Sequence, residues 1–408
     1  MAGKSFPAPS QSTPSHGSSL EVFLLFLRLG CVSFGGPIAH LGYFRKEIVE
    51  RRRWCNEGTI AEVIALAQSL PGPASSQVGF ALGILRAGWL GGLAAWFGFT
   101  FPSAVLMFAF AYGHAVFKGS VGLGIIHGLQ LVAVAVVAQA VMAMQRSLAP
   151  DKTRAAFAIL ATGLTLLLPP RMATLIAIAG GAGAGLLLFR SVDCGANEHI
   201  RLSLPKSAGV VSAVTFFVLL LALPLLAHIF PIFGLNVLSS FYRSGSLVFG
   251  GGHVVLPLLE GSVVSPGWVS QQSFLAGYGA AQALPGPLFC FAAYLGASIH
   301  PATSPLLFGL LGLVGIFAPG LLAMTAVLPF WSLLRENRFT QAALRGINAS
   351  VVGVLIAALY QPIWTSTIHT SSDFLIALLA FALLAIWKVS PWIVVVSIAT
   401  LSVIASAV

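Results

Sequence analysis

Two copies of one tetrapeptide, Leu70-Pro71-Gly72-Pro73 and Leu284-Pro285-Gly286-Pro287, stand in otherwise apolar stretches of the chain. Proline lacks a backbone donor and clashes with the preceding helical turn, so two prolines around a glycine end one helix and let another begin. A helix starting there presents unpaired N–H groups and the positive end of its dipole, an arrangement suited to an anion. The first copy is followed by Ser75, Ser76 and Gln77. One such motif reads as a kink; two at matching places read as paired helix ends. A second matched pair is Arg28 and Arg243, each followed by a glycine-rich break, Gly35-Gly36-Pro37 and Gly250-Gly251-Gly252. Arginine in an apolar segment is costly unless it faces a cavity, and its planar fork suits an oxyanion. The competing reading is that Arg28 pairs with Glu21 or Glu62, or snorkels to the surface.

The candidate anion-binding residues are therefore Arg28, Gly35, Gly36, Pro71, Gly72, Pro73, Ser75 and Ser76 in the first half, and Arg243, Gly250, Gly251, His253, Pro285, Gly286 and Pro287 in the second. His253 can titrate near neutral pH, and Glu62 opens a broken element without an acidic counterpart. Both are candidates for coupling proton movement, although a lone histidine or glutamate at a helix boundary is more often a satisfied structural group. Gln130 and Asn348 occupy matched sites and can hydrogen-bond across a helix bundle. The remaining histidines and Asp373 carry no chemical signal. The four cysteines, Cys31, Cys55, Cys194 and Cys290, form no metal-ligand or disulfide pattern, and no cofactor motif is present.

These residues must be positioned by elements that live in lipid. Of 408 residues, 57% are hydrophobic and only 8% charged, with a mean hydropathy of +0.94, which excludes an ordinary soluble enzyme. The net charge of +10 does not indicate nucleic acid, because the basic residues lie in short loops at 45–53, 146–154, 190–206 and 335–338. Long apolar segments are predicted at 88–116, 121–145, 155–169, 171–189, 208–235, 303–333, 339–362, 372–387 and 389–408. Two further regions, 20–44 with 58–85 and 238–258 with 273–300, are apolar but broken by glycine and proline.

Those broken regions repeat each other. Phe26, Arg28, Gly30 and Phe34-Gly35-Gly36 align with Phe241, Arg243, Gly245 and Phe249-Gly250-Gly251 at an offset of 215, and Trp54 and the Ala67-to-Pro73 segment recur at an offset of 214. Weaker echoes pair Pro102 with Pro319 and Gly128 with Gly346. The expected fold is an all-α integral membrane protein of two inverted-topology repeats with Gly/Pro-broken helices, the architecture of secondary transporters. The basic loop 45–53 has no basic counterpart at 259–272, which places the two on opposite faces. Nine full crossings with four re-entrant broken elements satisfy the charge bias. The expected organisation is a disordered tail at 1–19, a first repeat at 20–207, a connecting transmembrane helix at 208–235 and a second repeat at 236–408.

With Phe26-x-Arg28-x-Gly30, Ser33 to Pro37 and Gln68 to Pro73 in one half, and Phe241 to His253 and Gln282 to Pro287 in the other, the sequence resembles the chromate ion transporter family in its long, two-domain form. Gly252 replaces the proline that Pro37 supplies. The resemblance implies export of chromate across the bacterial cytoplasmic membrane, conferring resistance, with the proton gradient as energy source and sulfate as a close analogue. The residues themselves support an anion carrier whose partners are the oxyanion and the lipid bilayer; a homodimer is a further expectation. Sulfate as the true substrate and an anion channel are the alternatives.

Overall fold

The computed structural model describes residues 17–113, 119–168, 170–189, 204–249, 252–299, 304–331, 334 and 337–407. Most of the expected tail, Gly250, Gly251, Cys194 and most of the 190–206 loop lie outside them. Among the described residues there are sixteen α-helices and no strand. The first repeat holds α1 (Ser19–Val32), α2 (Gly36–Phe44), α3 (Glu57–Ser69), α4 (Ala74–Gly113), α5 (Ser120–Leu148), α6 (Lys152–Leu167) and α7 (Pro170–Leu188). A linking helix, α8 (Lys206–Ile229), leads to the second: α9 (Phe233–Ser246), α10 (Val255–Leu259), α11 (Gln271–Ala283), α12 (Phe291–Ala297), α13 (Pro305–Val327), α14 (Arg338–Ala358), α15 (Ser371–Ala385) and α16 (Pro391–Ala407).

The start of each repeat is a pair of hairpins. α1 and α2 meet at a break where Gly35 and Gly36 adopt φ of +99° and +76°, a region favouring glycine. α3 and the first limb of α4 meet at Leu70 to Pro73. Contacts at the outer ends gather these hairpins together. Glu21 near the start of α1 accepts from Arg52 at 3.5 Å and from Arg86 at 3.2 Å, and Arg86 stands over the Trp54 ring at 5.1 Å. α4 then reverses direction. Ala87 and Gly88 leave helical dihedrals, and Gly83 packs on Gly91 and Ala95, so 74–86 and 89–113 lie antiparallel.

The second repeat builds the same shape with different chemistry. Its α12 turns back on α13, with Gly296 against Phe308 and Gly309. Where the first repeat has an ionic corner around Trp54, the second has an aromatic one: Phe233 meets Trp268 at 5.1 Å and Phe308 at 5.4 Å. The helix starts are equivalent too. Asn56 caps α3 by accepting from the Thr59 amide, and Ser270 caps α11 by accepting from that of Ser273.

The two repeats interlock. α5 packs against α11, α15 and α16 of the second repeat, and its counterpart α14 packs against α6 and α7 of the first. Gly128 of α5 lies on Ala399 and Ser402 of α16, and Gly346 of α14 lies on Gly181 and Gly185 of α7. A side chain at either glycine would strike a facing backbone. The counterparts α4 and α13 run antiparallel in contact: Trp96 meets Phe317 at 5.8 Å, and twelve residues later Phe108 meets Gly309.

The exterior is apolar. On α8, Val211, Val214, Phe217 and Leu221 are 64, 55, 61 and 73% exposed, a stripe with no protein over it. Five helical stretches among the described residues are long and apolar enough to span a bilayer. Helices satisfy their own backbone, so such a surface is stable only against lipid. The protein is a multi-pass membrane protein.

Candidate functional site

The two proline-glycine breaks lie at the junction between the repeats, and each is held by the other repeat. Gly72 has φ of +118° and donates its amide to the Val248 carbonyl at 2.8 Å, at the end of α9. Gly286 has φ of +90° and donates to the Ser33 carbonyl at 2.9 Å, at the end of α1. Ser33 and Val248 are themselves equivalent positions. Gly72 packs on Gly320 of α13, and Gly286 on Ser103 of α4, again equivalent. Gln77 spans the junction, donating to the Pro71 and Gly320 carbonyls at 2.9 Å each. Ser103 donates its hydroxyl to the Pro285 carbonyl.

This geometry changes the role expected of the motif. The Gly72 and Gly286 amides, which precede the helix starts expected to face an anion, are engaged with protein carbonyls, and side-chain chemistry lies open nearby. The hydroxyls of Ser33, Ser76 and Thr100 are buried with no hydrogen-bond partner among the described residues. Ser75 faces His40, whose Nδ1 lies 3.3 Å from the Ser75 hydroxyl while Nε2 lies 3.1 Å from the Ser33 carbonyl. A carbonyl only accepts, so Nε2 carries the proton and Nδ1 accepts from Ser75. His40 thereby ties the end of α1 to the start of α4. Across the junction His253 Nδ1 hydrogen-bonds the Tyr278 hydroxyl at 2.7 Å. Pro37 at the start of α2 meets Gly252, joining the two glycine-rich breaks.

Arg28 and Arg243 line different cavities. Arg28 borders one of about 180 Å³ between α1 and the π-turn Arg45–Arg51, together with Tyr43, Lys46, Glu47 and Arg51. Arg243 borders one of about 310 Å³ between α9 and the π-turn Glu260–Val264, with Asn236, Ser239, Ser262 and Trp268. The structure does not bring the two guanidiniums into one cavity. Nor does Arg28 pair with Glu21, which is taken by Arg86 and Arg52. Glu47 accepts from Arg51 at 3.1 Å and Arg52 at 3.3 Å. Burial acts to raise its pKa, but these two guanidiniums outweigh that and hold it below the ordinary carboxylate value. Glu62 is buried on α3 among Ile60, Val63 and Leu66.

The sequence profile described as Chromate transporter matches residues 20–186 and 235–403, both segments that carry the broken hairpins. The chain belongs to the chromate transporter family. Its relatives include a chromate transport protein of Pseudomonas aeruginosa, 29% identical, the alignment covering 86% of this chain and 83% of that protein. A probable chromate transport protein of Synechococcus elongatus is 25% identical (89% and 88% covered), and a chromate transport protein of Cupriavidus metallidurans 24% (90% and 88%). No solved structure gives a significant match.

In this chromate transporter, several residues matter that motif reading passed over. His40 sits within three residues of Pro37 in a glycine-rich break, the same setting that singled out His253. Lys46 looked like one more loop cation, yet it lines the Arg28 cavity. His127 and Asp373 were expected to be uninformative, but they pair at 2.7 Å and join α5 to α15 across the repeats. Their separation in sequence hides that contact. Gln130 donates to the Gln272 carbonyl at 3.2 Å, whereas the Asn348 side-chain oxygen is buried without a partner among the described residues.

Proposed function

We propose that this chromate transporter exports chromate from the cytoplasm as a secondary active carrier, drawing on the proton motive force and conferring chromate resistance in a bacterial cytoplasmic membrane. It is a carrier and not an enzyme. The observation that carries the reading is the matched pair of arginines, each unpaired among the described residues and each facing a cavity beside a broken hairpin. A guanidinium offers two parallel donors to a tetrahedral oxyanion, and charge-assisted hydrogen bonds hold a dianion well. The names and near full-length coverage of the relatives supply chromate as the ion.

In this reading the repeats are inverted in the membrane, as the antiparallel contact of α4 with α13 supports, and alternating access comes from movement of one repeat against the other. The buried hydroxyls around Ser75 and Ser76, with the break at Gly35 and Gly36, line the route between the arginines. Glu62 and His253 are the proton-coupling groups.

Uptake of labelled chromate into everted vesicles, with and without a proton gradient and at several sulfate concentrations, tests this. Gradient-driven accumulation that collapses with a protonophore and persists in excess sulfate is expected. Equilibration without accumulation indicates a channel, and suppression by low sulfate makes sulfate the substrate. Glu62→Gln should uncouple accumulation from the gradient; full coupling in that variant removes Glu62 from the mechanism.

A further inference from the structure

The two arginine cavities are one cavity built twice. Every residue that lines the smaller one has its counterpart, 215 positions later, lining the larger. Arg28 corresponds to Arg243, and both come from the first helix of a hairpin, facing a π-turn. The π-turns differ in charge. Lys46 of the first repeat is replaced by Gly261, Glu47 by Ser262 and Arg51 by Pro266.

Those replacements change how many cations are available. In the first cavity Glu47 is satisfied by Arg51 and Arg52, leaving Arg28 and Lys46 without a carboxylate partner among the described residues. In the second, Arg243 alone is unpaired, and the rest of the polar lining is neutral: Asn236, Ser239, Ser240, Ser244 and Ser262, the last two hydrogen-bonded at 2.9 Å, with Thr174 from α7. A dianion meets two positive charges in one cavity and a single charge with hydroxyls in the other. Coulomb attraction and the count of charge-assisted donors both favour the first.

We propose that each repeat holds its own oxyanion-binding cavity, and that the Arg28–Lys46 cavity binds a tetrahedral dianion more tightly than the Arg243 cavity because Lys46 supplies the cation that Gly261 withholds. The proposal deepens the reading of the chain as an oxyanion carrier and rests on it for the ligand's chemistry. With the repeats opposed, the tight cavity gathers the ion beside the basic loop 45–53 and the weak cavity lets it go beside the counterpart loop 259–272, which has no Lys or Arg and carries one carboxylate, Glu260. Unequal affinity at the two ends suits a carrier that works in one direction.

The test is equilibrium binding of labelled inorganic sulfate to the full-length purified protein in detergent, against a constant chloride background. Two classes of site are expected. Lys46→Gln should weaken the tight class by roughly ten- to a hundredfold, the effect of one charge-assisted contact, and leave the weak class in place. Arg243→Gln should abolish the weak class and spare the tight one. Gly261→Lys should tighten the weak class. A Cβ at Gly261 meets nothing within 4 Å, so a side chain can begin there without striking a neighbour. A single class in the wild type, no saturable binding, loss of the tight class in Arg243→Gln, or unchanged affinity in Gly261→Lys would each overturn the proposal. Failure of vesicles to move chromate while both sulfate classes respond as stated removes the proposed transport reaction and leaves the paired cavities standing.

Discussion

Gly72 donates its amide to the Val248 carbonyl across the boundary between the repeats, and the same bond recurs between Gly286 and Ser33 with the repeats exchanged. The Leu-Pro-Gly-Pro motif is thus a clasp between halves as much as a helix break. Both glycines have positive φ, and a Cβ on Gly72 would run into the Gly320 backbone.

Gly72→Ala and Gly286→Ala should therefore be destabilising. Backbone strain at a positive φ costs about 1–3 kcal/mol before any steric displacement. Thermal melting of the purified protein should show a clear fall in midpoint for each. Wild-type melting in both variants would mean that the junction relaxes freely and the clasp is not under constraint.

Arg28→Ala and Arg243→Ala should abolish chromate transport while the protein remains in the membrane at normal levels. Neither arginine forms an ion pair among the described residues, so truncation removes no internal salt bridge. Efflux assays with quantified membrane protein read this out. Normal efflux from either variant would take that arginine out of the transport path.

Glu47 carries an acid-side signature. Its pKa is held down in the folded protein, so its contribution is fully present above the unfolded carboxylate value and fades as pH falls through the lower folded one. Glu47→Gln should cost about 1–3 kcal/mol near neutral pH, from lost charge-assisted hydrogen bonds to Arg51 and Arg52. The difference from wild type should shrink as melts are taken below about pH 4. A gap that stays constant with pH would contradict the ionic origin.

The His127–Asp373 contact holds α5 to α15, and Asp373 also accepts from the His369 and Thr370 amides in a capping box. Asp373→Ala loses its side-chain half of the capping box and the pair together and should cost more than His127→Ala. Each hydrogen bond to that carboxylate is worth about 1–3 kcal/mol. Melting points of the two single variants and the double variant would show the coupling; strict additivity would mean that the pair contributes nothing of its own.

Much of the architecture was legible from periodicity and punctuation. Each of the nine long apolar segments corresponds to a helix, and the predicted boundary between 58–85 and 88–116 falls at the reversal through Ala87 and Gly88. Proline and glycine mark such places because they act locally. The partners of the breaks were not legible. Nothing local tells Gly72 that its acceptor is Val248, or His40 that it will lie between Ser33 and Ser75, since those contacts arise only when helices pack. For the same reason the sequence groups the matched arginines as one set of anion-binding candidates, whereas the twofold build of the chain gives each its own cavity. Symmetry duplicates a position; it does not make the copies touch.

The crossing of α6 and α7 onto α14, and of α15 and α16 onto α5, means that neither half is a finished body. Cut between the repeats, the chain would yield two pieces that each bare the helix faces the other was made to cover. A protein with only one such repeat would have to find a second copy before its helices were all packed, so the duplication joined partners that already needed one another.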